Sequence, residues 1–240
     1  MTLLAHDLSG ETVLVFGGGP VGARKARRFA TEASVVVVSP AFADADFGGA
    51  TRVEAAPAPD EVASYLNEHD PALAVAATDD DAVNAAVVDA ARERGALVNR
   101  ADRAGDRDPG SVTVPATVTD GDVTVAVSTG GASPALSRHL RERVEDEVAG
   151  AGAVAAASGD LRERFKRAGV PPERRRDAVR TVVRSGAVWR AAREGGADAA
   201  LTAAENVAAE VLDGAVAPEP PESPSGGGTD PRADGGRWSA

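Results

Sequence analysis

The first hundred residues alternate between short apolar runs rich in β-branched residues and stretches with apolar residues at helical spacing. Such alternation is typical of a parallel sheet whose strands are joined by crossover helices. The third helix is marked by an acidic start at residues 79–81 and by Gly95 at its end. The pattern therefore predicts a Rossmann-like α/β sheet, with strands at 12–16, 35–38, 51–55, 73–77 and 96–98 and helices at 21–30, 60–67 and 79–94.

After residue 110 the pattern changes. Residues 111–118 and 123–128 alternate apolar and polar side chains around a turn that contains Asp120-Gly121, which predicts a β-hairpin. Ser133 and Pro134 then suit the start of a helix. The predicted organisation is an α/β domain (1–110), a β-hairpin segment that leads into a helix (111–150), a C-terminal helical domain (151–214) and a disordered tail rich in Pro, Gly and Ser (215–240). Helices of the C-terminal domain are predicted near 158–168, 172–190 and 198–213.

Composition narrows the classes of function. The formal net charge of −11 argues against a nucleic-acid partner, because such proteins need a basic surface. The absence of cysteine excludes thiolate catalysis, and His6, His69 and His139 are too far apart in sequence to favour a metal site, so no metal is expected. An acidic, lysine-poor chain is typical of a halophilic source. With no long apolar run and no signal-peptide pattern, we expect no membrane partner and a cytoplasmic location.

A glycine-rich loop follows the first predicted strand and opens the first predicted helix. Residues 17–22 read Gly-Gly-Gly-Pro-Val-Gly and match the pattern G-x-G-x-x-G. In that pattern Gly17 allows a tight turn, Gly19 lets the backbone approach a pyrophosphate, and Gly22 lets the helix pack closely on the sheet. The helix N-terminus then holds the pyrophosphate through its N–H groups and its dipole. The loop therefore predicts a dinucleotide site.

The end of the second strand departs from this pattern. The acidic residue that usually binds the ribose is missing, and Ser39 stands there, followed by Pro40. A hydroxyl or backbone groups must therefore hold the ribose, and since no arginine for a 2′-phosphate is evident, NAD is preferred over NADP. Thr78 and Asp79 either face the cofactor or only cap a helix. The candidate cofactor-binding residues are Gly17, Gly19, Pro20, Val21, Gly22, Ser39, Pro40, Ala41, Phe42, Thr78 and Asp79.

Four segments, in order along residues 10–150, together resemble one family. They are Gly17–Lys25 (Gly-Gly-Gly-Pro-Val-Gly-Ala-Arg-Lys), Ala76–Asp80 with Asn84, Val98–Asp102, and Val127–Pro134 (Val-Ser-Thr-Gly-Gly-Ala-Ser-Pro). With these segments the chain resembles the siroheme-synthase dehydrogenase family of precorrin-2 dehydrogenases. The resemblance implies that NAD accepts a hydride from precorrin-2 to give sirohydrochlorin. Some members also insert ferrous iron, and the sequence leaves open whether this one does.

The resemblance also implies that residues 1–110 are the NAD-binding domain and that 111–150 are the segment for dimerisation and tetrapyrrole binding in a homodimer. It further implies site residues. Asp102, beyond the end of a predicted strand, matches the family's proton-accepting aspartate, although by position alone it resembles any surface aspartate. Arginines near Asp102 and on the helix after Pro134 either gather the carboxylates of the tetrapyrrole or pair with neighbouring carboxylates. His139 fits a packed interface better than an iron ligand. The candidate substrate-binding residues are Asn99, Arg100, Ser128, Thr129, Gly130, Gly131, Ser133 and Arg138.

One alternative belongs to another class. Non-enzymatic NAD-binding regulatory domains that act as sensors also contain a glycine loop and an Asp-rich helix start. They normally keep the acidic ribose-binding residue that is missing here, and they lack a segment such as Ser128–Pro134. The enzyme is therefore the preferred hypothesis.

Overall fold

The computed structural model describes residues 2–101 and 110–212. Five parallel strands form one sheet in the order β3-β2-β1-β4-β5, which is the order of a Rossmann-type sheet. The sequence places strands here because each is a short, mostly apolar run between turn residues. The strands are β1 (Thr12–Phe16), β2 (Ser34–Ser39), β3 (Thr51–Glu54), β4 (Leu73–Ala76) and β5 (Leu97–Arg100).

Helices cover both faces of this sheet. Side chains alternate along each strand, so Leu14 and Phe16 of β1 face one core and Val13 and Val15 face the other. The first core also receives residues of α2 (Val62–His69) and α3 (Asp81–Glu93), and the second receives residues of α1 (Pro20–Phe29). The predicted α/β class is confirmed, and the central strands are buried on both faces, as expected for a parallel sheet.

A two-stranded hairpin follows, formed by β6 (Ala116–Asp120) and β7 (Val123–Val127). The first predicted strand, 111–118, was placed about two to five residues too early. The strands meet at a two-residue turn, where Gly121 adopts a positive φ of 56°. Helix α4 (Pro134–Val148) then begins at Pro134, and the Leu136 N–H donates to the Ser133 hydroxyl as predicted for a capping serine.

The remaining helices pack around a core made largely of alanine and valine. They are α5 (Ala151–Arg167), α6 (Pro172–Arg184) and α7 (Gly186–Leu212). The prediction of a first helix near 158–168 was wrong at its start, because α5 begins seven residues earlier. Two contacts explain the earlier start. The Asp120 carboxylate accepts the N–H of Gly150 at 2.5 Å, and Gly152 leaves room for the Asp120 carbonyl, which a Cβ would approach to 2.5 Å.

The predicted helix 172–190 was also wrong, because it is interrupted. Ser185 is extended (φ −73°, ψ 116°), so α6 ends at Arg184 and α7 begins at Gly186. The Trp189 indole N–H donates to the Val183 carbonyl at 2.7 Å and so satisfies a carbonyl that the helix end leaves free. Within α7, Gly196 (φ 69°, ψ −154°) breaks the helical geometry, which accounts for the start predicted at 198.

By its contacts the described chain forms two compact units. One contains residues 2–101, 110–117 and 126–142, and the other contains 118–125 and 143–212. Within these residues no helix combines the length and apolar character needed to cross a bilayer. The expected tail at 215–240 lies outside the described residues.

Candidate functional site

A cleft of about 810 Å³ opens at the carboxyl edge of the parallel sheet. It lies where the strand order reverses between β1 and β4, the position at which ligands bind in open α/β sheets. Four loops line it, each following one of the strands β1 to β4. The predicted cofactor-binding residues among them are Gly17, Gly19, Pro20, Val21, Ser39, Pro40, Ala41, Thr78 and Asp79.

Three loop glycines are required by the protein itself, and at Gly18 a Cβ would lie 2.3 Å from the Ala41 carbonyl oxygen. Gly17 has φ +117°, and a Cβ there would lie 2.3 Å from the Ala77 carbonyl oxygen. At Gly22 a Cβ would lie 1.9 Å from the Gly17 carbonyl oxygen. Gly17 and Gly22 therefore serve the tight turn and the close packing of the helix, as the sequence predicted.

Gly19 differs from these three. Its backbone (φ −73°, ψ −177°) suits any residue, and a Cβ at this position would meet no protein atom within 4 Å. Neither strain nor packing therefore explains a glycine here, and yet Gly19 lines the cleft. A ligand that approaches the backbone closely does explain it, and this fits the pyrophosphate of a dinucleotide.

The N-terminus of α1 offers donors to such a ligand. Gly19 is its N-cap residue, no side chain caps the helix, and no acidic residue lies in its first turn. The first N–H groups of a helix lack partners within the helix and lie at the positive end of its dipole. An anion at this position would therefore be bound by backbone groups alone.

The end of β2 is the place where the acidic residue of the pattern is missing. Ser39 is buried, and its hydroxyl donates to the Ala41 carbonyl at 2.8 Å. Phe42 was predicted to bind the cofactor, but it does not line the cleft. Its ring instead packs edge-on against Phe47, 5.7 Å between centroids, with the Arg52 guanidinium over both rings.

Asn84 fixes the β4–α3 turn. This side chain is almost fully buried, accepts hydrogen bonds from the N–H and the hydroxyl of Thr78 (3.1 and 2.8 Å), and donates to the Thr78 carbonyl at 2.9 Å. Asp80 then caps α3 by accepting the N–H groups of Ala82 and Val83. The turn is thus satisfied internally, and it presents Thr78 and Asp79 to the cleft.

Sequence reasoning missed one wall of the cleft. Residues 56–59 (Ala-Pro-Ala-Pro) follow β3 and line it. The signal was a run of small residues and prolines directly after a strand. Such a run forms an extended loop without large side chains, and in this sheet order it lies beside the end of β2.

A second cleft of about 360 Å³ is lined by half of the predicted substrate-binding residues. Ser128, Thr129, Gly131 and Arg138 all line it. The Thr129 hydroxyl lies 2.9 Å from the Ser137 hydroxyl, which ties the glycine-containing loop to α4. Gly130 (φ +67°) shapes this loop but does not line the cleft, and Ser133 caps α4.

The predicted residues on β5 are placed differently. Asn99 is 4% exposed, and its amide donates to the Val112 carbonyl at 2.7 Å. Its carbonyl oxygen is buried and has no hydrogen-bond partner among the described residues. Arg100 contacts the Asp81 carboxylate at 3.3 Å. Asp102, the predicted catalytic residue, lies outside the described residues.

The structure also shows the surroundings of the histidine in the helix after Pro134. His139 lines a small surface cavity together with Arg138 and Glu142. Among the described residues, no group of three or more His, Asp or Glu side chains is arranged to hold a metal ion.

Comparison with protein families finds two adjacent matches. Residues 4–116 match a putative NAD(P)-binding family, and residues 120–147 match the central domain of sirohaem biosynthesis proteins. The first match covers the sheet with its glycine loop, and the second covers most of the hairpin and nearly all of α4.

Curated relatives agree with both matches. The chain is 38% identical to the siroheme synthase of Methylococcus capsulatus over 68% of its own length and 34% of that protein. It is 29% identical to the precorrin-2 dehydrogenase of Methanosarcina barkeri, over 78% of its own length and 84% of that protein. The chain thus spans about a third of the siroheme synthases it matches and most of the dehydrogenase.

Among solved structures, "SirC, precorrin-2 dehydrogenase" aligns over 89% of this chain and all of that one. The TM-score is 0.62 at 23% sequence identity. This likeness supports the fold, including the hairpin and the C-terminal helices.

Proposed function

Because this chain belongs to the family of siroheme synthases and precorrin-2 dehydrogenases, we propose that it oxidises precorrin-2 to sirohydrochlorin with NAD. The single observation that carries the cofactor assignment is Gly19, a cleft residue whose lack of a side chain no protein contact explains. The matched central domain at residues 120–147 supports a tetrapyrrole enzyme over an NAD-binding sensor.

The lining of the cleft supports NAD over NADP. None of the described residues that line it is lysine, arginine or histidine. A 2′-phosphate on the ribose would require a cation nearby, whereas a ribose diol is satisfied by neutral groups. The backbone of the Ser39–Ala41 turn supplies these neutral groups. The Ser39 hydroxyl does not donate to the ribose, because it already donates to the Ala41 carbonyl.

The reaction removes two hydrogens from the macrocycle. One leaves as a hydride, and bound NAD supplies the two-electron acceptor. The other leaves as a proton, which we assign to the Asp102 carboxylate, two residues beyond the end of β5. In this proposal the second cleft holds the substrate, where Arg138 pairs with a carboxylate of the ring and the Ser128 and Thr129 hydroxyls contact its edge.

A homodimer completes the proposal. No residue of α4 is buried in one chain, although Leu136 and Leu140 lie on one side of it and Leu136 is 47% exposed. A two-stranded hairpin is also marginal on its own. Both features are explained if a second copy covers them. If the protein also inserts ferrous iron, the iron is a second substrate.

We also propose that the protein works in the cytoplasm.

The test is an absorbance assay with precorrin-2 and NAD. We expect conversion to sirohydrochlorin, and we expect Asp102→Asn to slow turnover by about 100-fold or more while NAD affinity stays unchanged. Turnover at the parent rate by Asp102→Asn would refute the proton-acceptor role. A parent chain that oxidises no precorrin-2 would refute the function.

Adding ferrous ion to the same assay tests chelation, and analytical ultracentrifugation tests the dimer.

A further inference from the structure

The helical unit contains a large groove of its own. It lies between α5 and α6, has a volume of about 740 Å³, and is larger than the cleft at Ser128. Pro172, Val179 and Val183 give it apolar surface, and Val183 remains 40% exposed. This volume lies in the range of sites that bind organic molecules.

Positive charge surrounds this apolar surface. On a chain of net charge −11, helix α6 carries five arginines against two acidic residues. Among the described residues that line the groove, one, Glu163, is acidic. The cations lining it are Arg162, Lys166, Arg175, Arg176, Arg180 and Arg184.

Some of these cations pair with carboxylates, as Lys166 does with Glu163 and Arg180 with Asp177, whereas three others do not within the described residues. Arg164, also on α5, contacts both Asp160 and Glu205 at 2.6 Å. Within the part of the chain that the structure describes, no carboxylate pairs with Arg162, Arg175 or Arg176. Unpaired guanidinium groups beside an apolar surface are suited to bind carboxylates of an amphipathic ligand.

We propose that this groove is a second binding site for a tetrapyrrole polycarboxylate, separate from the cleft at Ser128. The proposal rests on the proposed function for the class of ligand. The apolar ring lies against Val179 and Val183, and its carboxylates pair with Arg162, Arg175 and Arg176. An aromatic polyanion can pair with the arginines and also bury its ring against the valines. An inorganic anion can only pair with the arginines, so the groove favours the aromatic polyanion.

The experiment is a calorimetric titration of the full chain with uroporphyrin, a stable polycarboxylate porphyrin that the dehydrogenase reaction cannot consume. We expect two porphyrins per chain. In Arg175→Gln/Arg176→Gln one of the two sites should weaken by about tenfold or more. Arg190→Gln, a change on α7 away from the groove, is the matched control and should bind like the parent.

Each other outcome overturns the proposal. If the double variant binds porphyrin as the parent does, the groove is not a site. If the double variant loses precorrin-2 turnover, the groove is not separate from the oxidation site. Repeating the titration on a chain that ends at Leu212 tests whether residues 213–240 occupy the groove instead; tenfold tighter porphyrin binding there would identify them as the occupant and refute the proposal. Because binding of uroporphyrin requires no turnover, failure here is distinct from failure of the dehydrogenase function.

Discussion

Helices α1 and α3 begin at the same edge of the sheet, but the free N–H groups at their N-termini have different partners. At α3 the Asp80 carboxylate accepts two backbone N–H groups, and Asn84 satisfies the preceding turn. At α1 the N-cap is Gly19, and no side chain caps the helix. A capped terminus needs no ligand, whereas an uncapped terminus facing a cleft keeps its donors for one. The comparison supports our proposal that the loop at α1 is the anion site and that the turn at α3 supports it.

The largest effect should come from filling the space at Gly19. We expect Gly19→Ala to weaken NAD binding by about 100-fold, or ~2.8 kcal/mol, because its methyl group would occupy the position of the pyrophosphate. The fold should be unchanged, since no protein atom lies within 4 Å of that methyl group. Calorimetry measures the affinity and thermal unfolding measures the stability.

The matched control for Gly19 is Gly159→Ala in α5, where an added Cβ also meets no atom within 4 Å. It should bind NAD as the parent does. By contrast, Gly17→Ala should reduce folding, since its Cβ would lie 2.3 Å from the Ala77 carbonyl oxygen. Unchanged NAD binding in Gly19→Ala would refute the assignment of the anion site.

A smaller effect on NAD binding is expected when the hydrogen bonds of the turn before α3 are removed. Asn84→Ala removes three hydrogen bonds to Thr78 and leaves buried backbone groups without partners, which should cost about 2 kcal/mol of unfolding free energy. The KM for NAD should also rise, because Thr78 lines the cleft. The exposed Asn67→Ala should change neither quantity. A stable Asn84→Ala chain with a normal KM would show that the turn does not position the cofactor.

Removing the cap itself should have a still smaller effect. Asp80→Ala should lower the free energy of unfolding by about 1 kcal/mol and leave NAD affinity nearly unchanged, as chemical denaturation and calorimetry would show. Asp80→Asn keeps an oxygen acceptor and should retain most of the stability. If Asp80→Ala instead abolished NAD binding, both helix starts would contact the ligand and the contrast between them would fail.

Around neutral pH, the smallest expected change in the free energy of unfolding with pH comes from Lys25 on α1. Burial, and then the neighbouring Arg24 and Arg28, lower the pKa of Lys25 from 10.5 to about 8. The unfolded chain therefore binds more protons between about pH 8 and 10.5, so this residue makes the free energy of unfolding rise with pH across that window. Lys25→Met should remove that rise in denaturation curves measured at several pH values. An equal slope in both chains would contradict the lowered pKa.

Local signals made most of the α/β unit predictable. The strands of the sheet are short apolar runs between turn residues, and Gly95 ends α3 as expected, with Gly95 and Ala96 donating to the carbonyls of Arg92 and Ala91. The helical unit was harder to predict. The run from Ala151 to Gly159 has no strong amphipathic pattern, and its helix is fixed instead by the distant Asp120 carboxylate and by the close approach that Gly152 permits.

The amino-acid sequence by itself determined the class of fold, the glycine loop and the family, because these depend on neighbours in the chain and on the short-range chemistry of turns. Tertiary structure alone decided that Gly19 is the loop glycine with space for a Cβ. Ala77 approaches Gly17, and Ser39 and Ala41 approach Gly18, only when the strands align. Tertiary structure likewise decided that scattered arginines of two helices line one groove. Both features, the open space at Gly19 and the lining of the groove, depend on contacts between residues far apart in the chain. No local sequence pattern predicts such contacts.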